Sequence, residues 1–170
     1  MSPPFPPPRI IAQSRAAAEK LARQRVTLSP RGWQAWFDGS ATPNPGRIGI
    51  GALLVGPDGE RVEISRRAGE GTSGDAEYLA LIAVLEVAVA RNAGELLVHG
   101  DSQVIVQDVL MREVPAASGH AEHRTRVHLL MDEIGMVAVR WLPRHRNAAA
   151  DALSQRALAH VGPSVPATAE

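Results

Sequence analysis

Residues 36–46 read WFDGSATPNPG. An aromatic, β-favouring pair runs directly into Asp38, Gly39 and Ser40, and a Pro-Asn-Pro-Gly stretch then breaks the chain's direction. Aromatic and branched residues favour a pleated, half-buried surface, whereas Pro, Asn and Gly set the backbone angles of turns. The pattern predicts a strand over residues 33–39 that delivers a carboxylate to its end and then turns away. Strand patterns follow at 49–57 (GIGALLVGP) and at 60–68 (ERVEISRRA), the latter alternating at Val62 and Ile64. Pro57-Asp58-Gly59 between them has the composition of a hairpin turn.

Beyond this triplet of strands the period changes. Residues 75–91 are apolar on nearly every helical face, interrupted by Glu77 and Glu86, which predicts a helix buried against a sheet and ended by Gly94. ELLVHG (95–100) reads as a short buried strand, 102–112 and 121–135 as helices, MVAVRWLP (136–143) as a fifth strand. Asn147 opens a last helix running to about His160, and residues 162–170 read as a flexible tail. The order predicts an α/β domain over 31–161, with a mixed five-stranded sheet covered by helices. No internal repeat interrupts it.

Composition narrows the classes. At 170 residues with 45% apolar content and no cysteine, the chain suits one core and no disulfide framework. No apolar run reaches the roughly 20 residues that span a bilayer. The start lacks a signal-peptide pattern, and MSPPFPPPR is a poor amphipathic transit segment, so the expectation is a cytoplasmic protein. The zero net charge hides a division. Residues 1–31 carry Arg9, Arg15, Lys20, Arg23, Arg25 and Arg31 against Glu19 alone, a net +5. The remainder holds 12 basic and 17 acidic residues, a net −5. A basic arm, Pro-rich and then helical over 12–25, therefore precedes an acidic body; its arginines are either simply solvated or a phosphate-binding surface. Lys20 is the sole lysine, which removes Walker-type loops and Schiff-base chemistry from the body.

Four carboxylates fall where an α/β sheet presents chemistry. Asp38 ends the first strand, Glu77 lies in the first turn of the buried helix, Asp101 ends the fourth strand, and Asp151 follows Asn147 by one helical turn. Each alone has a plain alternative: a turn residue, a helix-dipole partner, an N-cap, a solvated charge. Other constellations carry less. His120, His123 and His128 lack the companions of a zinc site, no Gly-x-Ser-x-Gly elbow surrounds a serine, and Trp33, Trp36 and Trp141 suit packing better than base stacking.

The set of four, with its surroundings, resembles type 1 ribonuclease H. FDGSATPNPG is similar to that family's first-strand motif, GTSGDAEYLALIAVLE to its Thr-x-x-x-x-Glu helix, VHGDSQVIVQ to its Asp-Ser-Gln motif, and PRHRNAAAD to its closing Asn-x-x-Ala-Asp. These motifs keep the family's order across roughly residues 32–160. The resemblance implies the ribonuclease H-like fold, with helices on both faces of the sheet. It also implies hydrolysis of the RNA strand of RNA/DNA hybrids, leaving 5′-phosphate and 3′-hydroxyl ends. Asp38, Glu77, Asp101 and Asp151 would hold two Mg²⁺ ions, which Mn²⁺ could replace; such hard cations prefer carboxylate oxygens and can serve both ends of an in-line displacement. Clustered acids without a cation should raise at least one pKa. Asn44 and Gln103 match minor-groove contacts, Thr72 a contact to a DNA phosphate, and Gly39 and Ser40 flank the site. Two departures stand out. Ser73 and Gly74 replace a usual pair of asparagines, and the interval from Asp101 to Asp151 is too short for the basic handle of some members. In such handle-less relatives a loop Arg can replace the mobile His that assists product departure; Arg144 fits that spacing, and His145 is a weaker candidate. Two other readings compete: a resolvase or exonuclease of the same fold, and a nucleic-acid-binding module without catalysis. A monomer is the expected state.

Overall fold

The computed structural model describes residues 5–117 and 119–159. Its sheet grows from an antiparallel meander: β1 (Trp33–Thr42), β2 (Gly46–Val55) and β3 (Arg61–Gly71). Two further strands extend it in parallel, β4 (Glu95–Gly100) beside β1 and β5 (Met136–Trp141) beside β4, giving the order β3-β2-β1-β4-β5. Parallel neighbours need a crossover connection. The helices α2 (Ser73–Ala90), α3 (Gln103–Leu110) and α4 (Ala121–Ile134) supply it, and α5 (Ala148–Ala159) closes the domain.

Alternation along β1 decides which helix meets which face. A Cβ added to Gly39 would lie 2.1 Å from the carbonyl carbon of Ala76, so odd-numbered β1 residues face α2. Gly51, paired with Asp38 across the meander, would put a Cβ 2.3 Å from the Ala150 carbonyl oxygen, so that face meets α5. The two glycines let both helices approach the sheet more closely than any side chain allows. Phe37, Ile48, Ile50, Leu54, Leu81 and Leu96 fill the core, with almost no exposure. α2 is apolar all round because it is sandwiched between the sheet and α4.

The meander departs from the sequence expectation in register. β1 continues past residue 39 to Thr42, so Asp38 lies inside a strand and not at its end. β2 runs from Gly46 to Val55, starting three residues and ending two residues before the expected 49–57, because Pro43-Asn44-Pro45 alone forms the connection. Gly39 serves a close helix approach and not a turn. The hairpin at 57–59 forms as expected, with Gly56 N donating to Glu60 O at 2.8 Å.

Helix ends also moved. α2 begins at Ser73, capped by Thr72, whose hydroxyl accepts from Asp75 N while the Asp75 carboxylate accepts from Thr72 N. Glu77 thereby falls in its second turn. The helix ends before Gly94: Asn92 takes the left-handed conformation at φ 55°. Ser102, and not Asp101, caps α3. α5 is described to Ala159, and His160 with residues 162–170 lies outside the described residues.

The connection from α3 to α4 is short and pinned from within. Buried Arg124 donates to the carbonyls of Asp108 (3.2 Å) and Met111 (3.0 Å) and to that of Val114, while the Asp108 carboxylate accepts from Tyr78 Oη and Ala117 N. The N-terminal helix α1 spans Pro8–Ala22 and is docked, not free. Ala18 and Ala22 bury against α3 and β5, and Arg140 Nε donates to Gln24 O at 2.8 Å. No helix among the described residues is long and apolar enough to cross a membrane.

Candidate active site

At the end of the sheet where β1 and β4 run side by side, Asp38, Glu77 and Asp101 place carboxylate oxygens within 4.8 Å of one another. Three elements bring them together. β1 presents Asp38 toward α5, β4 releases Asp101 just past its last residue, and α2 brings Glu77 in beside Gly39, whose backbone hydrogen bond it takes. The missing side chain at Gly39 makes that approach possible. Asp151 is not part of this trio. It sits in the first turn of α5, its carboxylate 3.6 Å from the guanidinium of Arg144 in the 3-10 turn Arg144–Arg146.

The site is electrostatically costly by itself. Burial, helped by the charges of Asp101 and Asp151 and opposed by a hydrogen bond from Ser154, pushes the Asp38 carboxyl up to about 6. Burial, then Asp38 and Asp101, hold Glu77 well above the usual carboxylate range. Arg144 opposes both shifts through its charge, although three quarters of its side chain is exposed.

Two neighbours absent from the sequence reading as site residues set the geometry. Ser154, fully buried on α5, donates to Asp38 Oδ2 and lies 2.9 Å from the carbonyl of Asp151. Asn147 Nδ2 donates to Asp101 Oδ2 at 2.8 Å and to Phe37 O at 2.9 Å, tying β1, β4 and the start of α5 together. Trp141 Nε1 adds a bond to Asp101 O at 3.0 Å. Asn147 was visible as a helix opener, but nothing local marks Ser154, 116 residues from its partner.

The donor set fits a hard divalent cation. It is all oxygen, it is anionic, and a buried oxygen of Glu77 and one of Asp151 have no hydrogen-bond donor. A cation would neutralise charges that otherwise repel. The three histidines, discounted as a zinc site from the sequence, do not converge: His120 and His123 point Nε2 at Asp75 (3.6 and 3.3 Å), while His128 Nε2 faces Val109 O at 2.8 Å.

The remaining candidates lie on loops, strand ends and helix starts. Asn44 and Ser73 hold each other, Nδ2 to Oγ at 3.2 Å and Ser73 N to Oδ1 at 3.0 Å, so the β1–β2 turn is tied to the start of α2. Thr72 is exposed but engaged as a cap. Gln103 is exposed at the first turn of α3, and Ser40 lies 3.2 Å from the Ser154 hydroxyl. Gly74 has a local reason: a Cβ there would come within 2.5 Å of the His120 ring. His145 is exposed beside Arg144.

Residues 36–157 match the family model described as reverse transcriptase-like. The chain is 34% identical over 125 residues to "Ribonuclease HI" of Halobacterium salinarum, covering 73% of this chain and 63% of that one; it therefore spans less than two thirds of that relative. The crystal structure of RNase H1 from the same archaeon superposes with a TM-score of 0.68 at 32% identity, covering 75% of this chain and 97% of the other. LC11-RNase H1, solved in complex with RNA/DNA hybrid, gives a TM-score of 0.66 at 30% identity over 74% of this chain and 95% of that one. Sheet order, acid placement and these similarities agree: the chain belongs to the ribonuclease HI family, within the reverse transcriptase-like group.

Proposed function

We propose that the protein is a divalent-metal-dependent endonuclease that hydrolyses the RNA strand of RNA/DNA hybrids, leaving 5′-phosphate and 3′-hydroxyl ends. The carrying observation is the convergence of Asp38, Glu77 and Asp101 within 4.8 Å around an undonated buried oxygen of Glu77. That a relative of 30% identity has been solved with RNA/DNA hybrid supports the choice of substrate. Asp38, Glu77 and Asp101, with Asp151, would hold two Mg²⁺ ions, Mn²⁺ substituting. Bound there, such ions would activate a water for attack on the scissile phosphate and neutralise charge on the leaving oxygen.

The chain's own residues do the rest. Ser154 and Asn147 fix the two carboxylates that reach the site from separate strands, which keeps the acids in place when the cations leave. Arg144, exposed at 3.6 Å from Asp151, is free to swing toward the product phosphate. Asn44 and Gln103 face the shallow minor groove, where the 2′-hydroxyl distinguishes RNA from DNA, and Thr72 faces a phosphate of the DNA strand; Gly39, expected to touch substrate, is instead buried against α2, and the Ser40 hydroxyl is held by Ser154 and Gln155. The protein acts as a monomer in the cytoplasm.

The test is cleavage of end-labelled hybrid, duplex DNA and duplex RNA by wild type and Asp38→Asn, with Mg²⁺ or EDTA. Hybrid-selective cutting of the RNA strand, abolished by EDTA and by the substitution, is expected. Binding without cutting under every metal tried, or cutting of duplex DNA, would overturn the proposal.

A further inference from the structure

The site described above uses none of the five-unit positive excess of the first 31 residues. That excess sits on an acidic body, which must hold a polyanion if the proposed function is right. We propose that α1 is a fixed phosphate-binding flank of the substrate surface, set beside the Asp101 edge of the site by its docking on α3 and β5.

Three observations carry this. First, the helix is rigidly placed. Ala18 and Ala22 are buried, and Arg140 anchors the carbonyl of Gln24 from β5. Second, its two ends connect to elements of the site. Arg23 lies over the Trp141 ring at 5.0 Å, and the same indole donates to the Asp101 carbonyl. Arg15 and Ile11 share a cleft of about 620 Å³ with Val104 and Gln107 of α3, the turn that begins at Gln103. Val104 itself is 67% exposed there. Third, the cations are available. Among the described residues Arg9, Arg15 and Lys20 are exposed and form no ion pair, so their charges are open to a partner. Arg23 shares its charge with Glu19 at 3.4 Å.

A purely solvated basic helix would explain the exposure, but not its fixed seat between the site's own Trp141 and the first turn of α3. A docked cation keeps less entropy to lose on meeting a phosphate than one on a free arm. The partner that fits is the sugar-phosphate backbone of the hybrid, read for charge and not for sequence.

The inference rests on the proposed function, and its test separates the two. Arg9→Gln/Arg15→Gln/Lys20→Gln removes three charges, keeps good helix formers and touches no buried group. Arg9→Lys/Arg15→Lys retains the charges as a control. Hybrid binding is followed by fluorescence anisotropy in EDTA across a salt series, where no cleavage is needed, and KM and kcat are then measured with Mg²⁺. Each lost phosphate contact flattens the dependence of log affinity on log salt by about 0.9, so the Gln variant should lose a slope of about 2 to 3. Its KM should rise about tenfold at low salt with kcat unchanged, and the Lys variant should match wild type. Equal salt slopes for wild type and the Gln variant would overturn the inference whether or not the enzyme cuts. A flattened slope in a protein that cuts no hybrid would sink the proposed function alone.

Discussion

Asp38→Asn should change the pH dependence of stability before any substrate is added. Asp38 is 4% exposed, and its carboxyl is shifted from 3.8 to about 6, chiefly by burial. At 1.36 kcal/mol per pKa unit, ionising it in the folded protein costs about 3 kcal/mol relative to the unfolded chain. The folded-state pKa lies above the unfolded one. The favourable contribution is therefore complete below the unfolded pKa and is lost as pH rises through about 6. In EDTA, wild type should lose about 2 to 3 kcal/mol more than Asp38→Asn from about pH 4 to about pH 7.5, or roughly 5 to 10 °C in Tm. The substitution also removes a charge that raises Glu77, so the variant's curve flattens further. Ser154→Ala acts in the opposite sense, since it deletes the bond that lowers the Asp38 pKa. Mg²⁺ at neutral pH should recover the lost stability in wild type far more than in Asp38→Asn. Urea or thermal denaturation over the pH series, with and without cation, measures all of this. Parallel wild-type and Asp38→Asn curves would refute the buried, charge-penalised site.

Gly39→Ala should be far worse than its single methyl group suggests. The new Cβ would stand 2.1 Å from backbone of α2, so the helix must move; a loss of more than about 3 kcal/mol or failure to fold is expected, and an unchanged Tm would contradict the close packing. Asn147→Ala strands Phe37 O and frees Asp101 in a buried setting, which should cost about 1–3 kcal/mol in urea denaturation and weaken cation binding; a loss under about 0.5 kcal/mol would show that Asn147 ties nothing together. Arg144→Gln, at an exposed position, should leave Tm within about 1 °C while lowering turnover on hybrid; unchanged turnover would remove Arg144 from the reaction.

Some of this architecture was legible locally and some was not. The expected and observed bounds of β4 coincide because a short apolar run between a Gly-containing turn and Asp101 admits little else. Gly39 reads as a turn residue, so the sequence pattern ends β1 at residue 39; only the neighbouring helix shows that the glycine makes room for α2. α1 was readable as a helix, but its seat was not. Its buried stripe rests on alanines, which bury too little area to announce a partner.

By itself the sequence determined the element order, the mixed α/β sheet and the elements that carry the four acids, although Asp38 lies within its strand and Glu77 in the second turn of its helix. Those features depend on periods of 2 and 3.6 residues and on turn chemistry, which act between near neighbours. Only the tertiary structure decided that three of the acids share one cluster while Asp151 stands with Arg144, that Ser154 and Asn147 hold the cluster, and that the basic helix packs on α3 and β5. Apart from the Arg144–Asp151 pair, those facts join residues far apart in the chain, some by more than a hundred positions, through close packing across glycines and buried hydrogen bonds. Such pairings leave no periodic trace, because they are selected by the shape of the assembled core and not by any local preference of the backbone.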